Sequence, residues 1–80
     1  MAAKKATGYA ITKIALPEDA GGQRRAVYEA IKGGARDAAA VRDSVARTAA
    51  FKGRKEQTIA QNSAWHIGRL RRDGFVKGGR

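Results

Sequence analysis

Apolar residues recur at helical spacing in three stretches of this 80-residue chain. The first stretch runs from Gln23 to Lys32, and the glycine pair Gly33 and Gly34 follows it. Glycine is the usual residue just beyond a helix C-terminus, so we predict a first helix that ends there. Its apolar stripe comprises Ala26, Val27, Ala30 and Ile31, with Tyr28 on the flank.

The second stretch begins after Asp37, a good N-cap because its carboxylate can accept from free amides of the first turn. Val41 and Val45 continue at helical spacing, and Phe51 closes the stripe before a glycine. We predict a helix over about 38–52. Its β-branched residues and the run 48–50 leave open an earlier end near Arg47, with a long connecting loop over 48–57.

The third stretch has two distinct faces. It begins between Lys55 and Ile59 and runs to about Asp73, with Gly74 at its C-terminus. Spacings of four, four and three put one set on a packing face: Ile59, Ser63, Ile67 and Leu70. A polar and aromatic set falls on another face: Gln61, Asn62, Trp65, Arg69 and Arg72.

Two short segments favour strands. Residues 9–16 combine β-branched and aromatic side chains, which predicts a strand, and Phe75 with Val76 predicts a second. We expect the first to pair with the second and so to cover its exposed edge. Between strand and first helix, Pro17 and the glycines at 21 and 22 mark a break. Residues 1–8 are expected to form a flexible basic arm, and residues 9–80 a single domain.

The charge is strongly positive, with 17 Lys and Arg against 7 Asp and Glu, a formal net charge of +10. Such an excess on a small chain destabilises the folded state through charge repulsion unless a polyanion neutralises it. The charge therefore indicates nucleic acid as a partner. The alternative is that the basic residues only keep an alanine-rich protein soluble. The magnitude of the excess favours the first interpretation.

Composition argues against several other functions. With no cysteine and one histidine, His66, the chain lacks the residues for disulfides or a zinc site. It also lacks paired carboxylates in a credible pocket and a phosphate-binding glycine loop, so we expect neither an enzyme nor a cofactor. No stretch has the character of a signal peptide or membrane span. We therefore expect an intracellular protein, cytoplasmic and nucleoid-associated, or in the host cytoplasm if viral.

The segment 64–76, Ala-x-x-Ile-x-x-Leu-x-x-x-Gly-Phe-Val, resembles the recognition helix and following strand of winged helix-turn-helix proteins. The resemblance covers about residues 23–77, and the loop 33–37 has room for the short pairing segment such domains place after their first helix. It implies a mainly α fold with a small β component: three helices, short N- and C-terminal strands and a truncated wing. Only four residues follow Val76, too few for a full wing hairpin. Gly68 inside the third helix also departs from the pattern, and a kink or close helix crossing would explain it.

On this interpretation the third helix enters the major groove of double-stranded DNA, where Asn or Gln suits adenine and Arg suits guanine. The predicted base-reading residues are Gln61, Asn62, Trp65, His66 and Arg69. The predicted phosphate-binding residues are Lys52, Arg54, Lys55, Thr58, Arg72, Lys77, Arg80, Lys4 and Lys5. The implied function is that of a sequence-specific transcriptional regulator.

Other interpretations stay open from the sequence. Trp65 suits the core as well as the surface, and His66 is more often an ordinary hydrogen-bonded histidine than a metal ligand or catalytic group. Arg71 and Arg72 could simply stabilise the helix C-terminus, where positive charge meets the helix dipole, and phosphate contact could coexist with that role. The basic face of the third helix could instead bind an acidic protein partner, or package nucleic acid without sequence preference. A homodimer is a further possibility.

Overall fold

The computed structural model describes residues 8–78 and contains three helices and two short strands. In chain order they are β1 (Ala10–Ile11), α1 (Gly22–Lys32), α2 (Ala38–Val45), α3 (Glu56–Arg72) and β2 (Val76–Lys77). The fold is thus mainly α with a small β component, in the predicted order. Lys4, Lys5 and Arg80 lie outside the described residues, as does the predicted basic arm apart from Gly8.

The core forms where the apolar stripes of the three helices meet. The predicted packing face of α3 is buried along its whole length, including Ser63, whose hydroxyl donates to the carbonyl of Ala60 at 3.2 Å. Tyr28, predicted on the flank of α1, is itself buried. Phe51 lies beyond the end of α2 and is completely buried. The buried apolar side chains are Leu16, Val27, Tyr28, Ala30, Ile31, Val41, Val45, Phe51, Ile59, Ile67, Leu70 and Val76.

Glycines end α1 and α3 as predicted. Gly74 follows α3 with a φ of +90°, a conformation that costs L-residues energy and glycine little. Its amide donates to Arg71 at 3.2 Å, and the amide of Phe75 donates to Leu70 at 2.9 Å. These two bonds define a Schellman motif, which turns the chain sharply into β2. Gly34 ends α1 in the same way, with a φ of +120°.

The second helix begins as predicted but ends early. The Asp37 carboxylate accepts from the amide of Ala40 at 2.8 Å, which confirms the N-cap. The helix stops at Val45, so the extent 38–52 is wrong and the shorter alternative holds. The amide and the hydroxyl of Thr48 donate to the Val45 carbonyl at 2.9 and 2.6 Å. They occupy the acceptor that a continuing helix would offer to Ala49.

The strands pair as expected, but β1 is shorter than predicted and β2 begins one residue later than predicted, at Val76. They form a two-stranded antiparallel sheet in which Ala10 faces Lys77 and Ile11 faces Val76. The strand predicted over residues 9–16 is wrong beyond Ile11. Thr12 turns the chain away because its hydroxyl donates to the carbonyl of Gly74 at 2.7 Å and accepts from the amide of Ile14 at 3.3 Å. These contacts attach the N-terminal segment to the end of α3.

The loop 33–37, the wing and Gly68 are the points at which the resemblance to winged helix-turn-helix proteins can be compared with the fold. The loop 33–37 contains no strand, although its Arg36 carbonyl accepts from the Tyr9 amide at 3.0 Å. Within residues 8–78, β2 pairs with β1 and with no wing strand. Gly68 lies at no helix crossing, since a methyl group added there would meet no neighbouring element within 4 Å, and α3 continues through it. The expected crossing is therefore wrong.

Candidate functional site

The outer face of α3, defined as Gln61, Ala64, Trp65, Gly68 and Arg72, is open to solvent. It lies opposite the buried face because each residue advances about 100° around a helix axis. Trp65 is 57% exposed, which decides its location in favour of the surface. It is one of two large apolar side chains exposed within residues 8–78, the other being Ile14.

Three of the predicted site residues, Asn62, His66 and Arg69, occupy a half-buried flank of α3 beside this outer face. Asn62 donates to the side-chain oxygen of Gln23, at the start of α1, at 3.4 Å. The sequence pattern predicted that Asn62 and Arg69 would share one exposed face with Gln61 and Trp65. The structure divides this set into an exposed row and a flank that α1 partly covers.

The indole of Trp65 contacts two neighbours on its own helix. The ring of His66 stands nearly perpendicular to it, with ring centres 5.0 Å apart. On the next turn the guanidinium carbon of Arg69 lies over the indole, 5.6 Å from the ring centre, at a distance suited to a cation–π contact. Arg69 in turn lies 4.0 Å from a carboxylate oxygen of Asp73. These contacts favour one orientation of the exposed indole.

The electrostatics of His66 favour its neutral form. Burial lowers the pKa of His66 below its ordinary value, and the positive charge of Arg24 lowers it further. Its Nδ1 is buried and finds no hydrogen-bond partner among residues 8–78, so a proton there would have no acceptor in the described structure. The expectation of an ordinary hydrogen-bonded histidine therefore does not fit the geometry at Nδ1.

The N-terminus of α3 is exposed and basic. Lys52, Arg54 and Lys55 precede the helix on the surface, and Thr58 is half-buried in its first turn. Lys55 occupies the N-cap position with no side-chain hydrogen bond to the helix, so the first turn keeps free backbone amides. Glu56 adds one negative charge there. Beyond the helix, Lys77 of β2 is also exposed.

Two residues of α1 join this region although the sequence did not single them out. Gln23 contacts Asn62, and Arg24 is close enough to affect the charge state of His66. Both stand in the first turn of α1, before its apolar stripe begins. No spacing within α1 relates them to α3, because the way one helix lies across another is a tertiary property. The sequence therefore carried no signal for them.

Other kinds of site can be compared with the same region. No cluster of three or more His, Asp or Glu side chains suited to a metal ion occurs in residues 8–78. Across that range, each helix is too short or too polar to cross a bilayer.

Comparison of the chain with protein-family models, with curated proteins and with solved structures gives no significant match. Its function is therefore inferred from its own geometry and charge.

Proposed function

We propose that the protein binds double-stranded DNA by placing the outer face of α3 in the major groove, and that it acts as a sequence-specific transcriptional regulator. An α-helix with its side chains is about 10–12 Å across, and the major groove of B-DNA is about 12 Å wide. The resemblance of segment 64–76 to winged helix-turn-helix proteins supports this orientation. Regulation would follow from occupying a promoter and so blocking or recruiting the transcription machinery.

The observation that carries the proposal is the charge on α3. Residues 57–72 contain three arginines and no acidic residue. Asp73, the first carboxylate after them, lies beside Arg69. Such a stretch attracts a polyanion, and the one acidic residue of α3 itself, Glu56, lies at its N-terminus. Because Gln61, Trp65 and Arg72 are exposed on α3, contact needs no rearrangement of the core.

Phosphate contacts would come from the ends of α3. Lys52, Arg54 and Lys55 lie beside the free amides of its first turn, and lysine and arginine side chains with helix N-termini are common phosphate partners. Thr58, Arg72 and Lys77 could extend the same contact along the helix and onto β2. Such contacts position the protein on the duplex and carry no sequence information directly.

Base reading would come from the outer face and its flank. Gln61 is exposed and can make a two-bond contact with adenine. Asn62 already uses one amide hydrogen toward Gln23, which leaves its carbonyl and a second hydrogen for a base. Arg69 would have to leave Asp73 and Trp65 to reach guanine, so we rank it after Gln61.

A second candidate is a protein-interaction module that grips an acidic partner. The exposed Trp65 favours it, because tryptophan and arginine are enriched among the residues that dominate binding energy at protein interfaces. The basic surroundings specify an acidic partner. Duplex DNA ranks first because the exposed side chains of α3 include Gln57, Gln61, Arg71 and Arg72, which can bind base edges and phosphates.

The test is selection from a random duplex library, followed by titration of enriched and scrambled duplexes at several salt concentrations. We expect the selection to enrich one sequence, and the protein to bind it more tightly than the scrambled duplex at every salt concentration. Equal affinity with a steep salt dependence would instead indicate non-specific packaging. Failure to bind any duplex would reject the proposal and favour the acidic protein partner.

A pair of lysine variants distinguishes a local contact from net charge. Lys55→Ala removes an exposed charge at the start of α3, and Lys32→Ala removes one at the far end of α1. We expect Lys55→Ala to weaken all duplexes about equally and to reduce the slope of log affinity against log salt by about 1. Lys32→Ala should change both far less. Equal effects would mean that only total charge matters.

A further inference from the structure

One exposed residue, Trp65, differs in chemistry from the groups around it. Apart from one N–H donor the indole is apolar, and it lies on the same helix surface as Gln61 and Arg72. Polar and charged neighbours can bind phosphates or base edges, but a large apolar ring in the same place needs an apolar counterpart. On the rest of this face the side chain at Ala64 is small and Gly68 has none.

The contacts of the indole argue against stacking on a splayed-out base. Arg69 lies over the ring, and His66 stands against it nearly at right angles. Proteins that bind single strands use open aromatic faces as stacking platforms. Because Arg69 and His66 already contact the indole, less of its surface is open to a stacked base. Contact with a group that projects from the groove toward the helix therefore suits Trp65 better than base stacking does.

Gly68 makes such a contact sterically accessible. It lies three residues after Trp65 on the outer face, and a methyl group added there would meet no neighbouring element within 4 Å. Together with Ala64 it leaves space on the outer face beside the indole. A helix with such a gap can approach the floor of a groove closely, which brings the neighbouring indole within reach of base edges.

The major groove presents one apolar group, the C5 methyl of thymine, among hydrogen-bond donors and acceptors. We propose that Trp65 is a specificity-determining residue that packs against a thymine methyl, while His66 and Arg69 restrict the movement of the indole. On this inference Arg69 stays over the ring and does not read a guanine. This inference rests on the proposed binding of duplex DNA by α3 and adds to it the identity of one recognised base.

The experiment removes the methyl group and leaves base pairing intact. In the selected duplex each thymine is replaced in turn by deoxyuridine, and affinities are measured for the wild type and for Trp65→Ala. We expect one position at which the wild type loses about fourfold, the equivalent of about 0.8 kcal/mol for one buried methyl group. Trp65→Ala should bind more weakly and show no loss there.

Two control variants accompany it. Trp65→Phe keeps an apolar ring and should keep most of the methyl dependence. Gln61→Ala lies one turn away on the same face and should weaken binding while keeping the full dependence at that position. Comparison with Trp65→Ala also subtracts any effect of deoxyuridine on duplex shape.

The outcomes separate the two proposals. If the duplex binds and no thymine position shows a loss, or if Trp65→Ala shows the same loss as the wild type, the role of Trp65 is overturned and DNA binding stands. If no duplex binds at any salt concentration, both proposals fail. A change in the fold of Trp65→Ala is excluded by requiring that this variant still binds the selected duplex more tightly than the scrambled one.

Discussion

The stability of Gly68→Ala tests whether the outer face of α3 is free of internal packing. Gly68 lies well inside α3 on its exposed side, with open space where a methyl group would be placed. Alanine is favoured over glycine by about 1 kcal/mol in an exposed helix interior. Since about 1 kcal/mol changes the melting temperature of a domain of this size by about 4–8 °C, we expect the Tm to rise by a similar amount.

Gly53→Ala is the matched control. It adds the same methyl group, and it also meets nothing within 4 Å, but Gly53 has a φ of +82°. An L-residue in that left-handed region costs roughly 1–2 kcal/mol, so this variant should be destabilised. The two variants should therefore differ by about 2–3 kcal/mol in the free energy of unfolding.

Urea unfolding followed by far-UV circular dichroism measures both variants against the wild type. The expected result is a higher midpoint for Gly68→Ala and a lower one for Gly53→Ala, with unchanged slopes. If Gly68→Ala lowers the midpoint, Gly68 is under a constraint that the open surface does not account for, and the reasoning is refuted. The result does not depend on DNA binding, so it examines the geometry alone.

Three further predictions concern single side chains. Asp37→Ala should lower the free energy of unfolding by about 1 kcal/mol in urea, since it removes the cap on Ala40, while Asp37→Asn should retain most of it. Because the folded pKa of His66 is lowered, the unfolded state binds more protons, and stability should fall as the pH drops below about 6.5. His66→Gln should lessen that fall, and an equal fall in both proteins would refute it. Gln23→Ala removes the acceptor that orients Asn62, so it should relax base preference at the position that Asn62 contacts, with little change in total affinity. Repeating the duplex selection measures this preference, and an unchanged preference would mean that Gln23 does not orient Asn62.

The parts of the fold that follow from local rules could be predicted from the sequence. Ile59, Ser63, Ile67 and Leu70 are buried because their spacing matches the helical period, and Gly74 ends α3 because the turn needs a positive φ. These features depend on a few neighbouring residues. The pairing of the two strands could also be predicted, since a short apolar strand needs a partner at its edge.

The parts that depend on competition or on tertiary contacts could not be predicted. The end of α2 depends on the Thr48 side chain, which takes the Val45 carbonyl, and the sequence allowed both outcomes. Asn62 is half-buried because α1 lies across α3, and no local pattern specifies that arrangement. For the same reason the sequence predicted a wider exposed face on α3 than the structure shows, since Asn62 and Arg69 are half-buried.

The proposed interface can be tested most directly through Trp65, because it is the single tryptophan of the chain. Its fluorescence therefore reports on the outer face of α3 without a label. Acrylamide quenching would be measured for the free protein and at saturation with the selected duplex, with binding followed independently by anisotropy of labelled DNA. We predict that saturating duplex strongly protects the indole from quenching. Full binding by anisotropy with the quenching unchanged would contradict it, since the DNA would then lie on another surface.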